Sequence, residues 1–188
     1  MPKIECAKFS ESVGDPMKTY KLVVTGPFNA GKTEFVRAAS DIDIVTTERR
    51  ISDPSVVRDG KEETTVAMDY GQMRMPDCIL HLYGTPGQAR FEFMWPILSR
   101  EMDAFIVVMD STDRASWIDV TPLIRTFRKY TKAPYVVVAN KQDAPSAQAP
   151  EAIRKALSLA DNIPVLPCVA LQKASVLNIL KQVRQLLN

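Results

Sequence analysis

The sequence predicts an α/β fold, a mostly parallel six-stranded sheet with helices on both faces, and three observations carry that expectation. Short, almost wholly apolar runs alternate with segments of helical spacing, the pattern of buried parallel strands joined by crossover helices. Between the first such run, Leu22-Val23-Val24, and a helix-like stretch from Thr33 to Ala39 stands Gly26-Pro27-Phe28-Asn29-Ala30-Gly31-Lys32-Thr33, which fits G-x-x-x-x-G-K-[ST]. Every polar motif follows directly on an apolar run, and open α/β sheets bind ligands at the carboxyl ends of their strands.

The chain divides into an extension, residues 1–17, and one domain, residues 18–188. The extension is unpatterned and runs into Gly14-Asp15-Pro16. Residues 18–25 form the first strand, and the helix after the glycine-rich loop runs to about Ser40. Residues 41–62 are a long connection rich in charge, including Arg49, Arg50 and Arg58; loops of that length inside a compact domain are usually functional. Residues 64–75 end in alternating apolar and polar positions, which predicts an edge strand with Gly71 near a turn or bulge. Asp77 to Tyr83 is the next strand, ending in Gly84-Thr85-Pro86-Gly87-Gln88, and residues 88–100 can form a helix limited by Pro96. Ala104 to Met109 and Tyr135 to Ala139 are buried strands; between them Trp117, Val120, Ile124, Phe127 and Tyr130 recur at helical spacing. Glu151 to Ala160 is a helix, Ile163 to Pro167 a short last strand, and Ser175 to Leu187 an amphipathic final helix.

Composition bounds the function. At 188 residues the chain suits one sizeable domain, and a net charge of +2 gives no preference for nucleic acid or an acidic membrane. Cys6, Cys78 and Cys168 are widely spaced and odd in number, so they read as thiols in a reducing, cytoplasmic compartment and not as a disulfide or zinc set. No apolar run is long enough to span a bilayer, and neither end carries a lipidation signal, so any membrane attachment is expected to go through a partner. A monomer or weak dimer is expected.

The motifs define a nucleotide site. Gly26 and Gly31 let the backbone bend and approach a ligand, so the amides of Phe28, Asn29, Ala30 and Gly31 can face a polyphosphate at the positive end of a helix. Lys32 brings a charge to the outer phosphates, and the Thr33 hydroxyl is a hard oxygen ligand for Mg²⁺. Asn140-Lys141-Gln142-Asp143 follows a buried strand. Its Asp143 carboxylate can accept from the N1–H and exocyclic amine of guanine, a donor pair that adenine lacks. Asn140 can tie this turn to the phosphate loop, and the Lys141 stem can lie on the base plane.

With these motifs in this order the chain resembles the Ras-like small GTPases, P-loop NTPases of the G-domain type, over about residues 18–187. Gly87-Gln88 matches the switch II of that superfamily, and Met68-Asp69-Tyr70-Gly71 with Gly84 to Phe91 is most similar to bacterial members around MglA and its roadblock-associated relatives. Asn-Lys-Gln-Asp is also the Arf-like spelling. The resemblance implies GTP/GDP as ligand and Mg²⁺ as cofactor. Thr33 and Thr65 would bind the metal, the Gly87 N–H would meet the γ-phosphate, and two residues would be catalytic: Gln88 by orienting the attacking water and Lys32 by its charge on the outer phosphates. Val169 and Ala170 would line the base, the Ala170 N–H reaching its oxygen. Residues around 45–66 and 84–98 would be the segments that order with triphosphate. A roadblock/LC7-type regulator or GAP and an unidentified effector are the implied partners, with no nucleic acid.

Three positions depart from the pattern. Gly84 stands where a magnesium-supporting Asp is expected, so retention of the metal weakens unless an acid such as Asp69 or Asp110 substitutes. Phe28 replaces a common glycine and would crowd the γ-phosphate, which implies slow hydrolysis. Thr64 stands where MglA-like proteins carry an arginine, leaving Arg49, Arg50 and Arg58 as solvated charges or cis candidates. His81, the only histidine, reads as a core residue, and Phe91 and Trp95 as residues a partner could read. The expectation is a guanine-nucleotide switch with slow GTPase activity. The alternatives are a GTP-binding scaffold with little hydrolysis and a P-loop ATPase or kinase.

Overall fold

The computed structural model describes residues 17–46, 68–86 and 95–187. The elements in order are β1 (Lys18–Thr25), α1 (Lys32–Ala39), β2 (Val45–Thr46), β3 (Asp69–Arg74), β4 (Cys78–Gly84), α2 (Trp95–Leu98) and β5 (Ala104–Asp110). A 3₁₀ helix (Arg114–Asp119) then leads into α3 (Val120–Tyr130), followed by β6 (Tyr135–Asn140), α4 (Pro150–Ala156), β7 (Val165–Pro167) and α5 (Lys173–Leu186).

The sheet has seven strands in the order β2-β3-β4-β1-β5-β6-β7. β2–β3 and β3–β4 pair antiparallel and every other pair is parallel. The strand beyond the six expected is β2, whose two residues lie in what the sequence reads as loop and pair with Tyr70 and Asp69. Two residues are too few for periodicity to register.

The unbroken apolar runs have a structural cause. On β5, Phe105, Val107 and Met109 pack toward α3, while Ile106 and Val108 pack toward α1 and α5, so every position is buried. β4 alternates instead: Cys78, Leu80 and Leu82 are buried under α1 and α5, and Ile79, His81 and Tyr83 are half-buried on the other face. His81 sits there with its Nδ1 2.8 Å from the Tyr70 hydroxyl, a polar ring satisfied by its neighbour.

Three expectations are corrected. β3 is not the edge strand expected in residues 64–75, because β2 pairs along its outer side. Gly71 is not at a turn or bulge; it lies mid-strand in β3, where an added Cβ would stand 3.0 Å from Val36 Cγ1 and from Ser40 Cβ. Its role is to let α1 pack closely on the sheet. The helix expected to reach Ala160 ends at Ala156, because Ser158 takes a left-handed φ of 50°. Among the described residues no helix is long and apolar enough to cross a membrane.

Candidate functional site

The loop between β1 and α1 takes a path that its glycines permit. Gly26 has φ 146°, and a Cβ there would lie 1.9 Å from the Val108 carbonyl oxygen of β5. Gly31 has φ 94°, and a Cβ would meet Asn140 Nδ2 at 2.3 Å. Asn29 also takes a left-handed φ, 60°, a conformation asparagine tolerates better than most residues. Among the described residues no side chain caps α1, so the amides of its first turn keep their donors directed at the loop. Unpaired amides and the positive end of a helix dipole together make an anion site.

Lys32 lies beneath this loop, 9% exposed, and donates from Nζ to the Pro27 carbonyl at 2.7 Å. Burial pushes its pKa down to about 8, with the nearby Asp69 carboxylate opposing the fall. Next to it, Thr33 Oγ1 donates to Asp69 Oδ2 at 2.6 Å, and Thr46 Oγ1 donates to Asp69 Oδ1 at 3.1 Å. Asp69 is 4% exposed and stands opposite Gly84 in the β3–β4 register. A Cβ at position 84 would lie 3.1 Å from Asp69 Cβ and 3.2 Å from its Oδ2. The glycine therefore leaves the space through which the carboxylate of the neighbouring strand reaches Thr33. A threonine hydroxyl backed by a carboxylate is a hard oxygen set that fits Mg²⁺. Among the described residues no three His, Cys, Asp or Glu side chains cluster to hold a metal alone, so phosphate and water oxygens would complete its shell.

At the other end the strand termini of β5, β6 and β7 converge. Asn140, 3% exposed, donates from Nδ2 to the Ala30 carbonyl at 2.9 Å and accepts at Oδ1 from the Ala170 N–H at 2.8 Å. The tie expected between Asn140 and the phosphate loop is present, and the same side chain also holds the turn after β7. Lys141 takes φ 63° and its Nζ pairs with Asp110 Oδ2 at 2.5 Å. Burial raises the Asp110 pKa, but hydrogen bonds from Lys141 and Thr112 outweigh it and hold the carboxyl below the usual range. The ion pair fixes the lysine head and so the line of its stem. Gln142 N–H donates to the Cys168 carbonyl at 3.1 Å, closing the turn. Cys168 is buried, and its thiol is pushed up to about 11, an inert core group.

These turns enclose a cavity of about 330 Å³ lined by Asn29, Gly31, Glu34, Asn140, Lys141, Asp143, Ala144, Val169, Ala170 and Leu171. Asp143 is exposed there and makes no hydrogen bond among the described residues, so its carboxylate is available to a ligand. Ala170 lines the cavity, but its N–H, expected at a base oxygen, is engaged by Asn140. The Val169 N–H donates to Ser175 Oγ at 3.0 Å. Phe28 is on the phosphate loop but outside the cavity lining, 69% exposed. Thr64, Thr65, Gly87, Gln88, Phe91, the loop arginines Arg49, Arg50 and Arg58, and Cys6 lie outside the described residues.

Five participants were not expected as such from the sequence: Thr46, Glu34, Ala144, Leu171, and Asp110 as the partner of Lys141. Only Asp110 had a signal, an acid at the end of a buried strand. The sequence offers Asp69 as one of two possible acids, and the sheet register selects it.

Comparison with known proteins agrees with this geometry. The Ras family matches residues 21–188. An uncharacterised protein of Methanocaldococcus jannaschii is 31% identical over 126 residues, 65% of this chain and 70% of that protein. The gliding-motility protein MglA of Myxococcus xanthus is 28% identical over 178 residues, 88% of this chain and 89% of that protein. ADP-ribosylation factor-like protein 3 of Chlamydomonas reinhardtii is 30% identical over 145 residues, 74% and 72% of the two chains. The Arl6 small GTPase of Trypanosoma brucei, solved with the nucleotide analogue GppNp, has the same fold, with a TM-score of 0.70 at 17% identity over 90% of this chain and 98% of that one.

Proposed function

The chain belongs to the Ras family, a family of GTP-binding switches, and from that premise we propose that it hydrolyses GTP slowly with Mg²⁺ and is accelerated by a partner protein. The observation that carries the nucleotide reading is a cavity in which the Asp143 carboxylate faces the same space as Asn29 and Gly31 of the phosphate loop. A guanine at Asp143 and a polyphosphate at the loop amides are then one ligand.

Each residue has a physical task in this reading. Lys32 neutralises the outer phosphates. Asn140 fixes the distance between base site and phosphate site by bonding both. Thr33 would ligate Mg²⁺ with its hydroxyl oriented by Asp69, and Thr65 would join from its own segment. The bound ion would offset developing charge on the phosphates. Gln88 would orient the attacking water, with Gly87 against the γ-phosphate. Phe28, exposed on the phosphate loop where a glycine is common, supports a slow intrinsic rate because so bulky a side chain would crowd the γ-phosphate. By resemblance that partner is a roadblock/LC7-type regulator, and the compartment is the cytoplasm.

The nucleotide that co-purifies with the protein tests the premise. Guanine nucleotide is expected, released by magnesium chelation, and ATP that competes as well as GTP would overturn the reading. Single-turnover phosphate release tests the rate. Phe28 and Gly84 also favour a second reading, a GTP-binding scaffold, for which GTP would survive hours with Mg²⁺.

A further inference from the structure

Base and phosphates account for one carboxylate of the cavity, Asp143, and leave the other unexplained. Glu34 lines the same space, in the first turn of α1, one residue beyond Thr33. A negative side chain beside a polyphosphate is repelled by it at any effective dielectric. What favours a carboxylate there is a donor on the ligand. Between the base, at Asp143, and the phosphates, at Gly31, a nucleotide carries such donors only on its sugar. Carboxylates accept from ribose hydroxyls in other nucleotide-binding folds.

The surroundings of Glu34 fit that task. Arg37 pairs with it one turn along the helix, and both side chains are about half exposed, 43% for Glu34 and 52% for Arg37. The pair tethers the carboxylate at the cavity wall and leaves it lone pairs for a ligand. Arg37 itself lines a neighbouring cavity with Ser40, Asp41, Ile42, Asp43 and Ile44, so the pair stands on the divide between the two spaces. An acid in a first helical turn also complements the helix dipole, but that role is indifferent to the sugar of a ligand.

We infer that Glu34 is the sugar-reading residue: its carboxylate accepts a hydrogen bond from a ribose hydroxyl of the bound guanine nucleotide and makes the chain selective for ribonucleotides. The inference rests on the guanine-nucleotide reading above. The test is isothermal titration of the nucleotide-stripped full chain with GDP, 2′-deoxy-GDP and 3′-deoxy-GDP. The parent protein should prefer GDP to at least one analogue by about tenfold, the worth of a hydrogen bond to a charged group. In Glu34→Ala that ratio should fall to within about twofold, because GDP loses an acceptor while the analogue loses only a repulsion. Glu34→Gln, which keeps an acceptor without the charge, should retain part of the preference. A parent without sugar preference, or an unchanged ratio in Glu34→Ala, overturns the inference and leaves the guanine reading standing. Absence of any GDP binding overturns both. A purely structural role for Glu34 would lower the melting temperature and weaken all three ligands alike, which also overturns it.

Discussion

At the base end of the site Asn140, Lys141 and Asp143 come from one four-residue turn, whereas at the phosphate end Thr33, Thr46 and Asp69 come from three separate elements. The base end is satisfied internally: Asn140 uses both ends of its amide, Lys141 is held by Asp110, and only Asp143 is left for a ligand. The phosphate end is satisfied provisionally. Lys32 bonds a carbonyl of its own loop, and the Thr33 hydroxyl rests on a carboxylate. Selection therefore sits on rigid strand ends, and charge handling sits on groups that can exchange partners when a ligand arrives.

The sharpest way to break this contrast is to change the one free group of the rigid end. Asp143→Asn replaces two acceptors by an acceptor and a donor, which opposes guanine's amine and suits xanthine's oxygen. The preference for GDP over XDP should fall by about a thousandfold, two charge-assisted hydrogen bonds' worth, with little change in melting temperature because the side chain is exposed. Displacement titrations with both nucleotides measure it, and an unchanged preference would remove Asp143 from base recognition.

The same contrast governs what was legible in the sequence. The base turn and the phosphate loop are contiguous runs, so their residues can be named from the order of the chain alone. Six strands were legible for the same reason: five are apolar runs that stand out, and the sixth, in residues 64–75, shows as alternation of apolar and polar positions. Asp69 became the chosen acid only through its register opposite Gly84, and Glu34 became a cavity residue only through the placing of α1 against the turn after β6. Gly71 reads as a bulge in one dimension and as a close helix contact in three. Strand pairing and helix packing bring distant residues together, and no local pattern records them.

Asn140→Ala attacks the join between the two ends. It removes two buried hydrogen bonds and strands the Ala30 carbonyl and the Ala170 N–H, a loss of about 3 kcal/mol. For a domain of this size the melting temperature should fall by roughly 6–12 °C. Because base and phosphate sites lose their fixed spacing, GDP affinity should fall as well, whereas a fall in stability alone would make Asn140 a structural tie only. Calorimetry and titration separate the two.

A smaller effect is expected from the metal-supporting acid. Asp69→Ala should weaken the Mg²⁺ dependence of nucleotide retention by about tenfold, the usual loss when a residue that orients a ligand is removed. Gly84→Asp alone should not help, since its Cβ would crowd Asp69 at 3.1 Å. Combined with Asp69→Gly, which also removes the Cβ it would crowd, the same change returns a carboxylate from the adjacent strand and should recover part of the loss. Nucleotide off-rates across a magnesium titration read all three variants, and equal magnesium dependence in parent and Asp69→Ala would end the claim.

The smallest effect tests whether the phosphate end exchanges partners as described. Lys32 has its pKa pushed down to about 8 while it bonds Pro27, and a bound polyphosphate must raise it again, because an opposite charge favours the ammonium form. Binding above pH 8 then takes up a proton, so affinity falls as pH rises past 8 and is level below it. In metal-free buffer GDP should bind about fourfold more weakly at pH 8.5 than at pH 7. Lys32→Arg, charged throughout this range, should bind with no such slope. Asp69 holds the Lys32 pKa up, so Asp69→Ala should move the onset of the fall to lower pH. A slope that persists in Lys32→Arg would assign the titration to another group, and an onset unmoved by Asp69→Ala would separate the lysine from the carboxylate that this geometry joins.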